Sequence, residues 1–308
     1  MTTTPDWTNV LEDLARAGWA AHVVAAERMD DLRSRVAGIL ASGELPGPTA
    51  GHLSDEVAFA WPAELPGARS VVVAATPRPL TRATLCVGGD EREIVVPPHY
   101  AGYHTVPDGL TKALAAALAP SGHAAARFEP PLKTLAACAG LARYGRNNIA
   151  YVPRLGSYLM LAACATDAPP PAGATWDEPL QLDRCERCSA CLRACPSQAI
   201  RPDRFLLQTD RCLTTVNEDE APFPPWVDPA WHHCAVGCLR CQQACPENAG
   251  VELRIAPAEV FDEAESAAIL AATPAEELGA ATRQKLARCG LDYSPALIAR
   301  NLHALIGV

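Results

Sequence analysis

Cys185-x2-Cys188-x2-Cys191-x3-Cys195-Pro196 sets four thiols on one short segment, and Cys238-x2-Cys241-x3-Cys245-Pro246 repeats the latter part of that spacing further along, with Cys212 between the two runs. This spacing suits [4Fe–4S] cubanes: three thiolates of a tight loop grip three irons, and the cysteine before the proline ligates the other of two clusters. By that logic Cys185, Cys188, Cys191 and Cys245 hold one cluster, and Cys195, Cys212, Cys238 and Cys241 hold the other. Clusters interlaced in this way pass electrons singly. Paired zinc sites are the competing reading, but a four-cysteine zinc site joins two C-x2-C knuckles and explains neither the run of three gaps nor the prolines.

Cys234 also stands at ligand spacing from Cys238 and remains open as a substitute for Cys212 or Cys238. Cys86, Cys138, Cys164 and Cys289 are isolated in apolar or helical surroundings and read as small buried hydrophobes. His232-His233, in a Pro/Trp-rich loop, reads as surface or cluster-shell packing.

The elements that must position these residues follow from the apolar spacing. Trp7 to about Ser42 has helical periodicity and reads as two helices. Ser70–Thr76 is a short β-branched run, a buried strand. Ala83–Val87 and Glu91–Val96 flank Gly88-Gly89-Asp90 as a hairpin. Asp108 can cap a helix through Leu118, Leu132–Leu141 offers another, and the acidic tail after Val251 reads as two or three helices packed on the core. The fold class is therefore α/β (α+β), with a layered domain at 1–175, a two-cluster ferredoxin-like domain at 176–250 and a helical segment at 251–308.

The chain has 308 residues, 49% of them hydrophobic and 20% charged, enough to bury a sizeable core. It lacks a signal-like N-terminus and a long apolar run, so a cytoplasmic protein without a membrane partner is expected. A net charge of −9 opposes adhesion to polyphosphate. No G-x-G-x-x-G or Walker sequence is present, which leaves nicotinamide and nucleotide binding unsignalled. Oligomeric state is not set by any of these features.

Lys133-Thr-Leu-Ala-Ala-Cys-Ala-Gly140-Leu-Ala-Arg-Tyr-Gly145-Arg-Asn-Asn148, continuing to Tyr151-Val-Pro-Arg-Leu-Gly156-Ser-Tyr158, resembles the block before the clusters in epoxyqueuosine reductases and their reductive-dehalogenase relatives. Gly237-Cys-Leu-Arg-Cys-Gln242-Gln-Ala-Cys-Pro246-Glu-Asn248 resembles the second cluster motif of the same family. The resemblance covers about residues 95–250 and implies a nitroreductase-like domain that holds cobalamin without a lower protein ligand, beside the double-cluster module. It also implies reduction of a C–O or C–halogen bond by cob(I)alamin fed through the clusters, with electrons from an external ferredoxin or flavodoxin.

On this resemblance Arg143, Tyr144, Asn147, Asn148, Gly156, Ser157 and Tyr158 are expected at the cofactor, and Tyr103 and His104 at the cavity as proton donors or orienters. The family's proton-donating aspartate has no match: Arg127-Phe-Glu129-Pro-Pro131 offers only Glu129. The stretch after the clusters is acidic and short where tRNA-acting members carry a helical-repeat extension. A small-molecule substrate is therefore expected, and tRNA is disfavoured.

Overall fold

The computed structural model describes residues 2–57 and 59–307. In chain order the elements are α1 (Trp7–Arg16), β1 (Ala20–Ala25), α2 (Arg28–Ala41), α3 (Gly47–Val57), β2 (Ser70–Pro77), β3 (Thr81–Val87) and β4 (Asp90–Val96). Then come α4 (Val106–Leu118), β5 (Ala125–Phe128), α5 (Leu132–Cys138), β6 (Arg143–Tyr144), β7 (Ala150–Tyr151) and β8 (Leu159–Thr166). The cysteine segment holds the short helices α6 (Ala190–Ala194), α7 (Leu213–Glu218) and α8 (Arg240–Gln243); β9 (Glu259–Phe261), α9 (Glu263–Leu270), α10 (Ala280–Cys289) and α11 (Pro295–Ile306) follow. The class is mixed α/β with a helical C-terminal region, as the sequence predicts.

The chain forms two units. The first comprises residues 1–77, 104–189 and 202–207, and the second 78–103, 190–201 and 208–308. The first unit is built on an antiparallel sheet of order β1-β2-β8-β5. Successive strand residues point to opposite faces, and β2 is apolar on both: Val71, Val73 and Ala75 join one core, Val72 and Ala74 another. Met29 and Leu32 of α2 with Leu135 and Ala136 of α5 cover the first face. Val10 and Leu14 of α1 with Leu110, Leu114 and Leu118 of α4 cover the second. Each fully buried Val or Leu contributes roughly 1.5–3 kcal/mol of transfer energy, so a strand without exposed faces is the strongest reason this sheet forms here.

Within the expected helical pair, Ala20–Ala25 is a strand instead. Val23 packs into one core and its neighbour Val24 into the other, which only an extended backbone permits. Helix α1 is capped by Asp6, whose carboxylate accepts the N–H groups of Thr8 at 3.0 Å and Asn9 at 3.4 Å.

In the second unit the β3–β4 hairpin turns at Gly88 and Gly89, both at positive φ, as a two-residue connection requires. Strand β9 adds in parallel to β3, pairing Leu85 with Phe261. Helices α9 to α11 close a core around Leu85, Ile94, Phe261, Leu286, Ile298 and Leu302.

Candidate cluster-binding and redox site

The candidate cluster cysteines sit on loops and helix ends. Cys185 lies in a 3-10 turn (Asp183–Glu186), Cys212 is the N-cap of α7, and Cys191 and Cys241 belong to α6 and α8, which pack on each other. In the second unit Cys195, Cys212 and Cys238 are close enough to affect one another electrostatically. Burial pushes the Cys238 thiol up to about 12, and burial likewise raises Cys212. Cys212 stands at the start of α7 and Cys238 shortly before α8, beside first-turn peptide N–H groups.

Among the described residues no three His, Cys, Asp or Glu side chains already form a closed metal cage. The donor chemistry nevertheless fits iron. Desolvated thiols facing backbone amides give up their protons when a cation takes their place, and the same amides then stabilise thiolate sulfur.

Two neighbours complete this environment. His233 Nε2 accepts the N–H of Leu239 at 3.0 Å and stands 4.0 Å from Cys238 Sγ, while Nδ1 faces the carbonyl of Trp231 at 3.2 Å. Of the histidine pair, His233 packs beside the candidate ligand Cys238. Cys234 is buried, its thiol pushed up to about 12 by burial first and Cys238 second. The thiols of Cys138, Cys164 and Cys289 are buried as expected, and Cys86 is half-buried in β3.

In the first unit, Glu129 follows β5 on the surface. Its carboxylate accepts from Arg127 Nε at 2.9 Å and Nη2 at 2.5 Å; the same guanidinium donates to the His104 carbonyl at 3.1 Å. Arg127 thus ties two candidate catalytic residues together, which no motif announces. Beside them is a cavity of about 460 Å³ walled by Phe59, Pro62, Glu64 and Phe128, with Trp61 stacked on Phe128 at 4.8 Å. Tyr103 belongs to the second unit and is 58% exposed.

The expected cofactor residues all belong to the first unit. Arg143 is exposed and paired with Asp183 at 2.9 Å, and the Tyr144 hydroxyl lies 3.2 Å from that of Thr134. Asn147 is buried, its Nδ2 donating to Tyr151 Oη at 2.9 Å. Asn148 is left-handed at φ 58° and contacts Lys133. Gly156, at φ 60°, closes a tight turn with Val152, and Ser157 and Tyr158 are buried. Tyr144 lines a cavity of about 720 Å³ with Arg35, Ile39, Gln181 and Phe205. The other six do not line this cavity.

No helix among the described residues is long and apolar enough to cross a membrane. Residues 184–248 match the family described as 4Fe-4S double cluster binding domain. The epoxyqueuosine reductase of Staphylococcus aureus is 26% identical over 237 residues, 73% of this chain and 60% of its own length. The chain therefore spans about 60% of that relative. The epoxyqueuosine reductase of Bacillus subtilis shares the fold with a TM-score of 0.68 and 21% identity over 97% of this chain and 80% of that one. A crystal structure of epoxyqueuosine reductase holding a tRNA-Tyr epoxyqueuosine-modified stem loop has a TM-score of 0.68 and 20% identity over the same shares.

This last likeness overturns the expectation that tRNA is a disfavoured partner. The expectation rested on a summed charge of −9, yet a sum fixes no local patch, and a fold of this kind receives a stem loop. The chain thus resembles the epoxyqueuosine reductases in sequence and fold, and its segment 184–248 matches the double 4Fe–4S cluster binding domain.

Proposed function

We propose that the chain is an iron–sulfur reductase of the epoxyqueuosine reductase type that uses cobalamin as a further cofactor. In this reading Cys185, Cys188, Cys191 and Cys245 hold one cluster and Cys195, Cys212, Cys238 and Cys241 the other. The observation that carries it is a double-cluster segment at 184–248 inside a chain similar over 73% of its length to an epoxyqueuosine reductase.

Reductive opening of a C–O or C–halogen bond consumes two electrons, which cubanes deliver one at a time. Cobalamin, when bound, supplies a strongly reducing cobalt centre for such a bond. The chain's own part is to hold the clusters, orient the substrate and deliver a proton. Glu129 and His104, joined through Arg127, are the candidates for that proton, with Tyr103 a third. Residues 1–175 would bind cofactor and substrate, 176–250 carry electrons, and 251–308 pack on the core. A modified tRNA stem loop is the first substrate to test.

A second reading, an iron–sulfur enzyme without cobalamin, is supported by the departure from the family's proton-donating aspartate, where Arg127-Phe-Glu129-Pro-Pro131 offers only Glu129. An anaerobic electron paramagnetic resonance titration of the reconstituted protein with cob(II)alamin decides between the two. A stoichiometric base-off spectrum supports the cobalamin enzyme. Free cobalamin beside intact cubane signals makes the second reading the working one.

A further inference from the structure

Arg146 stands in the middle of the Gly145–Asn148 turn and is not one of the seven residues expected at the cofactor. The structure gives it two contacts with a single cysteine. Its peptide N–H donates to Cys185 Sγ at 3.3 Å, and its guanidinium Nη2 donates to the Cys185 carbonyl.

Both ends of this contact are held by the small β6–β7 sheet. On the arginine side, Gly145 N–H donates to the Ile149 carbonyl at 2.8 Å and Asn148 N–H to the Gly145 carbonyl at 2.9 Å. Asn147, bonded to Tyr151, fills the space beside Gly145: a Cβ there would lie 2.3 Å from Asn147 Oδ1 and 2.6 Å from the Tyr151 ring. On the cysteine side, Tyr144 N–H donates to Leu180 at 2.9 Å, Leu182 N–H donates to Tyr144 at 2.8 Å, and Cys185 N–H donates to Leu182 at 2.9 Å. The turn and the cysteine loop therefore hang on the same strand, and the distance between the Arg146 amide and the Cys185 sulfur is set by backbone hydrogen bonds.

A guanidinium that satisfies a loop carbonyl would by itself be ordinary loop support. The N–H directed at sulfur adds something different. Reducing a cubane adds one negative charge, spread in part over its thiolate ligands. A peptide donor on one of those sulfurs, with a guanidinium charge next to it, stabilises the reduced form more than the oxidised one. We propose that Arg146 is a positioning residue that raises the reduction potential of the cluster ligated by Cys185, by clamping the 185 loop onto its own peptide N–H. The inference rests on the reading of Cys185 as a cluster ligand. It gives the Gly-Arg-Asn-Asn turn a role in electron delivery, separate from any contact with cobalamin.

The test is a redox titration of the reconstituted full-length protein, with dithionite as reductant and both cubane signals followed by electron paramagnetic resonance. Wild type is compared with Arg146→Gln and Arg146→Lys. In Arg146→Gln the midpoint of one cluster is expected to fall by a tenfold change in its reduction equilibrium, 59 mV for one electron, while the other cluster stays put. Arg146→Lys keeps the charge but not the fork, and should shift the same cluster in the same direction by less. If Arg146→Gln does not assemble the cluster, the lysine variant supplies the measurement. Unchanged midpoints in every variant that assembles would overturn the inference, as would loss of iron with no shift in Arg146→Lys. A wild-type protein that binds iron but forms no cubane on Cys185 would instead remove the ligand reading on which it stands.

Discussion

His233 Nε2 accepts the peptide N–H of Leu239, the residue next to Cys238, at 3.0 Å. Peptide donors in such loops are the ones that otherwise face cluster sulfur, so the imidazole decides where this amide points. With Nε2 accepting, Nδ1 carries the proton and donates to Trp231. Replacing His233 with Ala leaves the Leu239 amide without its partner beside a cluster ligand, a loss of about 1–3 kcal/mol if the site stays dry. The expected outcome is a variant that folds but whose clusters bleach faster in air than wild type. Equal bleaching rates in anaerobically prepared samples would show that this hydrogen bond does not guard the loop.

His232 behaves differently. Its ring is buried against Phe223, and neither nitrogen has a hydrogen-bond partner among the described residues. Burial above all, then the charges of Arg300 and His233, hold its pKa below the ordinary value. The unfolded chain therefore binds more protons than the folded one below about pH 6.5, and stability must fall as pH falls through that window. Denaturant midpoints measured from pH 7.5 to pH 5 should decline less steeply in His232→Phe than in wild type, because phenylalanine removes the proton uptake and keeps the ring contact. Parallel slopes would place the acid sensitivity elsewhere.

Gly237 combines a φ of 63° with a Cβ position only 2.2 Å from Tyr100 Oη and 2.8 Å from its ring. Tyr100 is itself fixed, donating to Glu218 at 2.5 Å from a buried site. Gly237→Ala must therefore strain the backbone and displace the tyrosine together, with an overpacking cost of about 1–3 kcal/mol before the left-handed strain is added. Because Cys238 is next in the chain, iron content should fall along with the unfolding midpoint. Tyr100→Phe, which keeps the ring and removes only the hydroxyl, should lose stability but keep its iron.

The parts legible in the sequence are those whose signal is local. The β3–β4 hairpin is announced by two glycines between β-branched runs, and the cysteine runs by their spacing. Strand β1 was hidden because Trp19 and Val24 also satisfy a helical repeat; only the two cores on either side of the sheet make neighbouring residues face apart. The pairing of β9 with β3 links Phe261 to Leu85 across most of the chain, and no pattern of short range encodes it. At the candidate site the ligand cysteines were visible and His233 was singled out as surface or shell packing, whereas the contacts of Arg127, Arg146 and His233 were not visible. Each acts by a hydrogen bond to a residue distant in sequence or to a peptide group, which leaves no spacing to read.

Glu129 is open to a direct trial. As an exposed partner of Arg127 it contributes little to stability, at most about 1 kcal/mol. Glu129→Gln should therefore fold and carry its clusters as wild type does. If this carboxylate delivers the proton, turnover of an epoxyqueuosine-bearing stem loop by dithionite-reduced protein should drop by about 10²–10⁴ with the cluster midpoints unchanged. Turnover within a few-fold of wild type would pass the role to His104 or Tyr103.

The competition between Cys212 and Cys234 for the second cluster can be settled by counting iron. Both thiols are buried, and both stand within electrostatic reach of Cys238, so neither burial nor proximity separates them. Their backbone surroundings do. Cys212 is the N-cap of α7, whereas the Leu239 N–H in the loop after Cys234 is taken by His233 Nε2. A thiolate is favoured at a helix start, so Cys212 is the expected ligand. Cys212→Ser should strip about four of about eight irons per chain, and Cys234→Ser should keep them all. The reverse pattern would move the fourth ligand to Cys234 and leave Cys212 as the buried thiol beside it.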